Sequence, residues 1–170
     1  MSETRTQIRA CVQTNPGIHF NEISRTLDIA TGQTQYHLRK LHRTGALVSE
    51  DICGRTHYYP PTYGERERSV IALLRRETAR EIVLQLLDSG ETAPGALAGR
   101  LDLARSTVEW HLSNLVEYDV VYKRAPAGGE GVVVKLREPE VVYRLLREIE
   151  PRASDRLADR FARLADSLLE

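Results

Sequence analysis

A mainly α-helical fold with small β-hairpins (α+β), built twice over, is the architecture this sequence predicts. Three observations carry the prediction: self-similarity at an offset of 74 residues, helical spacing of apolar side chains, and a short strand pair closing each copy. At that offset Leu27-Asp28-Ile29-Ala30 falls on Leu101-Asp102-Leu103-Ala104, Tyr36-His37-Leu38 on Trp110-His111-Leu112, and Leu41 on Leu115. Thr4, Ile8, Val12 and Ile23 likewise meet Thr78, Ile82, Leu86 and Leu97, so the likeness runs through a whole unit. Stacked solenoids need three or more repeats; two copies read as two related globular domains.

Each copy is helical first and extended last. Ile8 and Val12, or Ile82 and Leu86, mark one face of a first helix, ended by Asn15-Pro16-Gly17 or Ser89-Gly90. A short second helix carries Ile23 and Leu27, or Leu97 and Leu101. The third holds Thr34, Leu38 and Leu41, or Val108, Leu112 and Leu115, a spacing of i, i+4, i+7 that lines up one stripe. Ser106-Thr107-Val108-Glu109 reads as a capping box opening the second copy of that helix, with Gly32 and Gln35 a weaker version in the first. Strands are expected at Ala46-Leu47-Val48-Ser49 and Arg55-Thr56-His57-Tyr58-Tyr59 around Cys53-Gly54, and at Val120-Val121-Tyr122 and Val132-Val133-Val134 around Gly128-Gly129-Glu130-Gly131. Three helices followed by a hairpin is the order of a winged helix-turn-helix domain.

The expected layout is therefore a first such domain over residues 1–62, a linking helix over 63–77 and a second domain over 78–137, followed by C-terminal helices over 138–170. Pro60-Pro61 closes the first domain. Val70, Ile71, Leu73 and Leu74 form the apolar side of the linking helix. Val141, Val142, Leu145, Leu146 and Ile149 mark a helix stopped by Pro151, and Leu157, Phe161, Leu164 and Leu168 follow at spacings of 4, 3 and 4. That short a/d seam predicts a homodimer, although folding back onto the second domain would cover the same face.

Composition narrows the function. The formal net charge of zero argues against a protein that coats nucleic acid by bulk electrostatics, so the distribution of charge matters more. Residues 1–74 hold 9 basic against 7 acidic side chains, and Ile29 to Ser49 has no acid while containing Arg39, Lys40 and Arg43. No stretch suits a membrane span, and Met1-Ser2-Glu3-Thr4-Arg5 lacks the apolar core of a signal peptide, which leads to a cytoplasmic expectation. Cys11 and Cys53 belong to no metal or redox spacing. The sequence carries no GxSxG, HExxH, P-loop or dinucleotide motif, so neither an enzyme nor a cofactor is expected.

Asn15-Pro16-Gly17-Ile18-His19-Phe20-Asn21-Glu22-Ile23, Gln35-Tyr36-His37-Leu38-Arg39-Lys40-Leu41 and Gly54-Arg55-Thr56-His57-Tyr58-Tyr59-Pro60 resemble archaeal winged helix-turn-helix regulators of the ArsR/MarR type. The tandem form, with Arg75-Arg76-Glu77-Thr78-Ala79-Arg80 opening the second copy, is similar to haloarchaeal members. The resemblance implies a transcription regulator with its third helix in the major groove of double-stranded DNA and its wing on the backbone or minor groove. Paired cysteines of the metal-sensing branch are missing from the third helix.

The candidate DNA-binding residues are Gln33, Gln35, Tyr36, Arg39, Lys40 and Arg43 on the first copy's third helix, Arg55 on its wing, and Arg105 on the second copy. Arg and Lys meet phosphate or guanine, and Gln pairs with adenine. A solvated basic face is the bland alternative, and Arg55 has a structural one: pairing with Glu50 or Asp51 across the turn. In the second copy Ser106, Trp110, Ser113, Asn114 and Glu117 replace the basic set. Dimerisation or domain packing, weak DNA contact through Arg105, Lys123 and Arg124, and a platform for another protein compete there. A winged-helix interaction module or an architectural chromatin-associated protein is the alternative for the whole chain. His37 and His111 are expected half-buried and bonded to backbone rather than as ligands, and Tyr58, Tyr59 and Tyr63 as packing for the linker. A redox role for Cys53 beside His57, or an effector site at the tyrosines, is the lesser reading.

Overall fold

The computed structural model describes residues 2–150; the seam at Leu157, Phe161, Leu164 and Leu168 lies outside the described residues. The chain divides into two compact units, the first ending at Ala72 and the second beginning at Leu73. The first contains α1 (Glu3–Thr14), β1 (Ile18–His19), α2 (Phe20–Leu27), α3 (Thr31–Arg43), β2 (Val48–Ile52) and β3 (Arg55–Tyr59). The boundary falls in α4 (Glu65–Leu74). The second contains α5 (Glu77–Ser89), α6 (Pro94–Leu101), α7 (Arg105–Glu117), β4 (Val121–Arg124), β5 (Val133–Leu136) and α8 (Pro139–Ile149).

Offset 74 recurs in three dimensions. α2 and α6 bound the same positions of the repeat, as do α3 and α7. The turn between them opens at Asp28 in one unit and Asp102 in the other, both left-handed with φ of 51° and 53°. Aspartate tolerates that region because its short side chain bonds locally. The turn after the third helix repeats too, with Gly45 at φ 73° and Asp119 at φ 56°.

In the first unit Ile8, Cys11 and Val12 of α1 pack with Ile23 of α2, Leu38 and Leu41 of α3, and Ile18 and Leu47. Ile8 and Ile23 have no exposed surface, and burying one such side chain stabilises by about 1.5–3 kcal/mol. This core fixes α3 by one stripe and leaves its other faces to solvent.

The hairpin β2–β3 pairs antiparallel from Val48↔Tyr59 to Ile52↔Arg55. Cys53 and Gly54 form its two-residue turn, both at positive φ (49° and 76°), the conformation that matches the twist of the flanking strands. β1 adds a third strand in the order β1-β3-β2, with Ile18↔Tyr58 and His19↔His57. Two residues between helices give no periodic signal, and the sequence reading missed this strand. In the second unit Thr92, at the repeat position of Ile18, makes only an isolated bridge to Val134, beside the pair β4–β5.

Four expectations are corrected. α7 begins at Arg105 behind Ala104, with no side-chain cap, so Ser106 lies inside the first turn and the Ser106–Glu109 capping box does not form. The first wing strand runs Val48–Ile52 rather than from Ala46, because Ala46 donates its N–H to Leu41 in the helix-ending turn. His37 is only 9% exposed, and its Nδ1 has no hydrogen-bond partner. The histidine that bonds backbone is His57, 3% exposed, whose Nδ1–H donates to the Gly17 carbonyl at 2.7 Å and ties the wing to the turn after α1. Arg55 does not pair across its turn: Glu50 takes Arg68 at 2.9 Å, and Asp51 accepts from the Thr56 hydroxyl at 2.6 Å.

Candidate nucleic-acid interface

α3 presents a basic surface that its repeat α7 lacks. Its buried positions are Thr34, His37, Leu38 and Leu41, and Gln33, Gln35, Tyr36, Arg39 and Arg43 are exposed, with Lys40 half-buried. The helical period divides these residues into two flanks.

One flank meets the wing. Gln35, Arg39, His42 and Arg43 share a shallow concavity with Ser49 of β2 and Tyr58 of β3. A neighbouring one joins Gln35 and Tyr58 to Arg55 and Thr56 of the wing and to His19, Phe20 and Asn21. Gln35 and Tyr58 line both, so helix, wing and the start of α2 form one continuous surface. Tyr58 sits at its base: burial pushes its hydroxyl above the ordinary tyrosine range, Asp51 adds to this, and Arg39 opposes it. Tyr59 differs, being fully buried with its hydroxyl donating to the Arg68 carbonyl of α4 at 2.7 Å, and its ring lies 6.5 Å from that of Tyr63.

Gln35, Arg39, Arg43 and Arg55 are thus brought together. Gln33, Tyr36 and Lys40 lie outside both concavities, and Arg105 belongs to the other unit. His19, Asn21, His42, Ser49, Thr56 and Tyr58 were missed. Ser49 and Tyr58 are direct cross-strand partners, and a register could be drawn from the Cys53-Gly54 turn; nothing local in the sequence marks His19 or Asn21.

Electrostatics separates the two units. Arg39, Arg43 and Arg55 have no carboxylate partner among the described residues. In the second unit each candidate cation is answered. Glu109 takes both Arg105, at 3.4 Å, and Lys123, at 3.0 Å, and Arg124 is paired with Glu91. The hydrogen bond from Lys123 and its charge, with Arg105 behind them, hold the Glu109 carboxyl below the usual carboxylate range. A depressed carboxylate stabilises above its unfolded pKa, and that stability is lost as pH falls through the folded value. The melting temperature of Glu109→Gln is therefore expected to fall slightly below wild type at neutral pH and to converge with it in acid. A gap that persists in acid would disprove the ion-pair assignment.

Trp110, at the repeat position of Tyr36, is 56% exposed on α7. It stands edge-on to His111, as Tyr36 does to His37. Burial, with Arg76 behind it, lowers the His111 pKa. Among the described residues no group of three or more His, Cys, Asp or Glu side chains is placed to hold a metal, and no helix is long and apolar enough to cross a membrane.

By fold the chain is a tandem winged helix-turn-helix protein. Residues 2–71 match a family model described as an N-terminal HTH domain, and residues 75–122 match one described as winged helix-turn-helix DNA-binding. The chain is 28% identical over 138 residues to the uncharacterized HTH-type transcriptional regulator MJ1398 of Methanocaldococcus jannaschii, an alignment covering 81% of this chain and 34% of that protein. It therefore spans about a third of that relative's length. Among solved structures, HlyU from Vibrio cholerae aligns with 51% of this chain and 94% of its own at 26% identity and a TM-score of 0.43. The endosomal complex ESCRT-II aligns with 76% of this chain and 58% of its own at 14% identity and a TM-score of 0.30.

Proposed function

We propose that the protein is a sequence-specific DNA-binding transcription regulator that reads double-stranded DNA through its first unit. α3 enters the major groove with Gln35, Arg39 and Arg43, helped by Gln33 on its other flank, and Arg55 carries the wing onto the backbone or minor groove. The observation that carries this reading is the continuous helix–wing surface whose arginines have no carboxylate partner, against a second unit whose cations are ion-paired. An unpaired cation has no internal bond to break before meeting a phosphate. The family model for winged DNA-binding units and the name of the archaeal relative point the same way.

In this reading the protein is an archaeal regulator of the ArsR/MarR type that works in the cytoplasm and performs no catalytic step. The second unit is an interface rather than a second reader, because Ser113, Asn114 and Glu117 stand where the first unit has Arg39, Lys40 and Arg43, and Trp110 is exposed on the same helix. A homodimer presents two copies of α3 to a two-fold site and doubles the phosphates met by a chain of zero net charge.

In vitro selection on the full chain tests the reading, with affinity for the selected duplex followed across salt. A defined consensus is expected, with log affinity falling linearly with log salt. Gln35→Ala should relax one position of that consensus by about 1–3 kcal/mol of discrimination. Failure to retain any duplex at low salt would refute the assignment, and light scattering that gives one chain per particle would refute the dimer.

A further inference from the structure

The flank of α3 turned from the wing carries a cluster that the helix–wing surface leaves unused. Lys40 Nζ stands 4.6 Å from the centre of the Tyr36 ring, one helical turn away. Arg5 of α1, the helix packed on α3, acts by its charge on Tyr36 and His37, and its Nε is buried with no hydrogen-bond partner among the described residues. Edge-on to the Tyr36 ring, 5.1 Å between centres, stands His37, nine-tenths buried, with its Nδ1 likewise unpartnered.

We propose that Arg5, Lys40 and the Tyr36 hydroxyl clamp a backbone phosphate of the DNA beside α3. This rests on the DNA-binding reading above and adds to it a contact from α1, outside both the recognition surface and the wing.

Both rings feel the two cations. Lys40, standing against the ring, pulls the Tyr36 hydroxyl below its ordinary pKa, and Arg5 adds to the effect. Burial, then Arg5 and then Lys40, keep His37 below the usual imidazole value. Both cations thus act on both rings, and neither has a carboxylate partner among the described residues. Like charges held together repel, and an anion between them relieves the repulsion. The donors suit a phosphate: the guanidinium offers a planar fork, the ammonium a point charge and the phenol a hydroxyl.

The repeat supplies an internal control. At the position of Arg5 the second unit has Ala79, which is buried, and at that of Lys40 it has Asn114. α5 and α7 still form and pack together. Arg76 acts on His111 there from a different position and has a partner of its own, while the buried Nδ2 of Asn114 makes no hydrogen bond among the described residues, so orphaned donors occur in both units and the cation pair is what sets the first apart. The fold therefore does not require the cation pair, which is specific to the unit with the free arginines.

Arg5→Gln in the full chain is the test, read as duplex affinity across salt. Expected are a several-fold loss at low salt, a salt slope shallower by about one phosphate's worth, an unchanged consensus and an unchanged melting temperature. Arg5→Lys should restore part of the loss. Wild-type affinity and slope in Arg5→Gln would overturn the clamp while leaving the DNA-binding reading intact. Wild-type protein that retains no duplex would instead overturn that reading, and the clamp with it. A second arm separates DNA phosphate from a free anion: the His37 ring resonances should shift with a mixed-sequence duplex and stay in place in millimolar inorganic phosphate. A shift with phosphate alone would reassign the cluster to a small anion and overturn the inference.

Discussion

Replacing Arg39 and Arg43 together by Gln is expected to reduce duplex affinity by roughly tenfold or more at low salt and to flatten the salt slope by about two phosphates' worth. Both side chains line the concavity between α3 and the wing, and neither has a carboxylate partner among the described residues. Their contribution to DNA binding is thus not offset by the loss of an internal ion pair. The same independence predicts an unchanged melting temperature, which distinguishes lost contacts from a lost fold. Salt-dependent anisotropy of the double variant against wild type checks the expectation, and superimposable curves would remove α3 from the interface.

His57→Ala should destabilise the first unit by about 2–4 kcal/mol, the largest stability effect expected here. His57 is 3% exposed, and its Nδ1–H donates at 2.7 Å to the carbonyl of Gly17, itself buried and 40 residues away in sequence. Removing the ring leaves a cavity and a buried acceptor without its donor. The cross-strand pair His19↔His57 would lose its anchor, and the wing with it. Thermal unfolding should show the fall, and duplex affinity should fall as well, since Tyr58 follows His57 on β3 and Arg55 lies two residues before it. An unchanged melting temperature would mean that this hydrogen bond does not hold the wing.

The helices were legible because each is specified by residues within it. The stripe Thr34, Leu38, Leu41 and its copy Val108, Leu112, Leu115 state a helix and its buried face, and the repeat doubles the signal. The hairpin turn was legible for a similar reason: Cys53-Gly54 falls between two β-prone runs, and only a turn accommodates two consecutive positive φ angles. β1 was illegible because two residues have no period, and only their partners on β3 make them a strand. The capping box was misread because the motif fixes a spacing, whereas the turn at Asp102 fixes where α7 begins.

The candidate site divides in the same way. The acid-free run from Ile29 to Ser49 and the basic exposed side of α3 can be read from the chain alone, since charge and helical phase are properties of sequence. Which cations are unpaired cannot be read there. Arg105 and Arg39 look equivalent as letters, yet Glu109, answering Lys123 across 14 residues as well, takes Arg105, and nothing takes Arg39. The histidine bonded to backbone is likewise His57 and not His37, because hydrogen-bonding partners 40 residues apart are set by the register of β1 on β3. By itself the sequence determined the two units, the helices and the side of α3 that faces solvent, all consequences of local periodicity. Only the tertiary structure decided which charges stay available and which side chains share a surface, because ion pairs and concavities form between elements that sequence keeps apart.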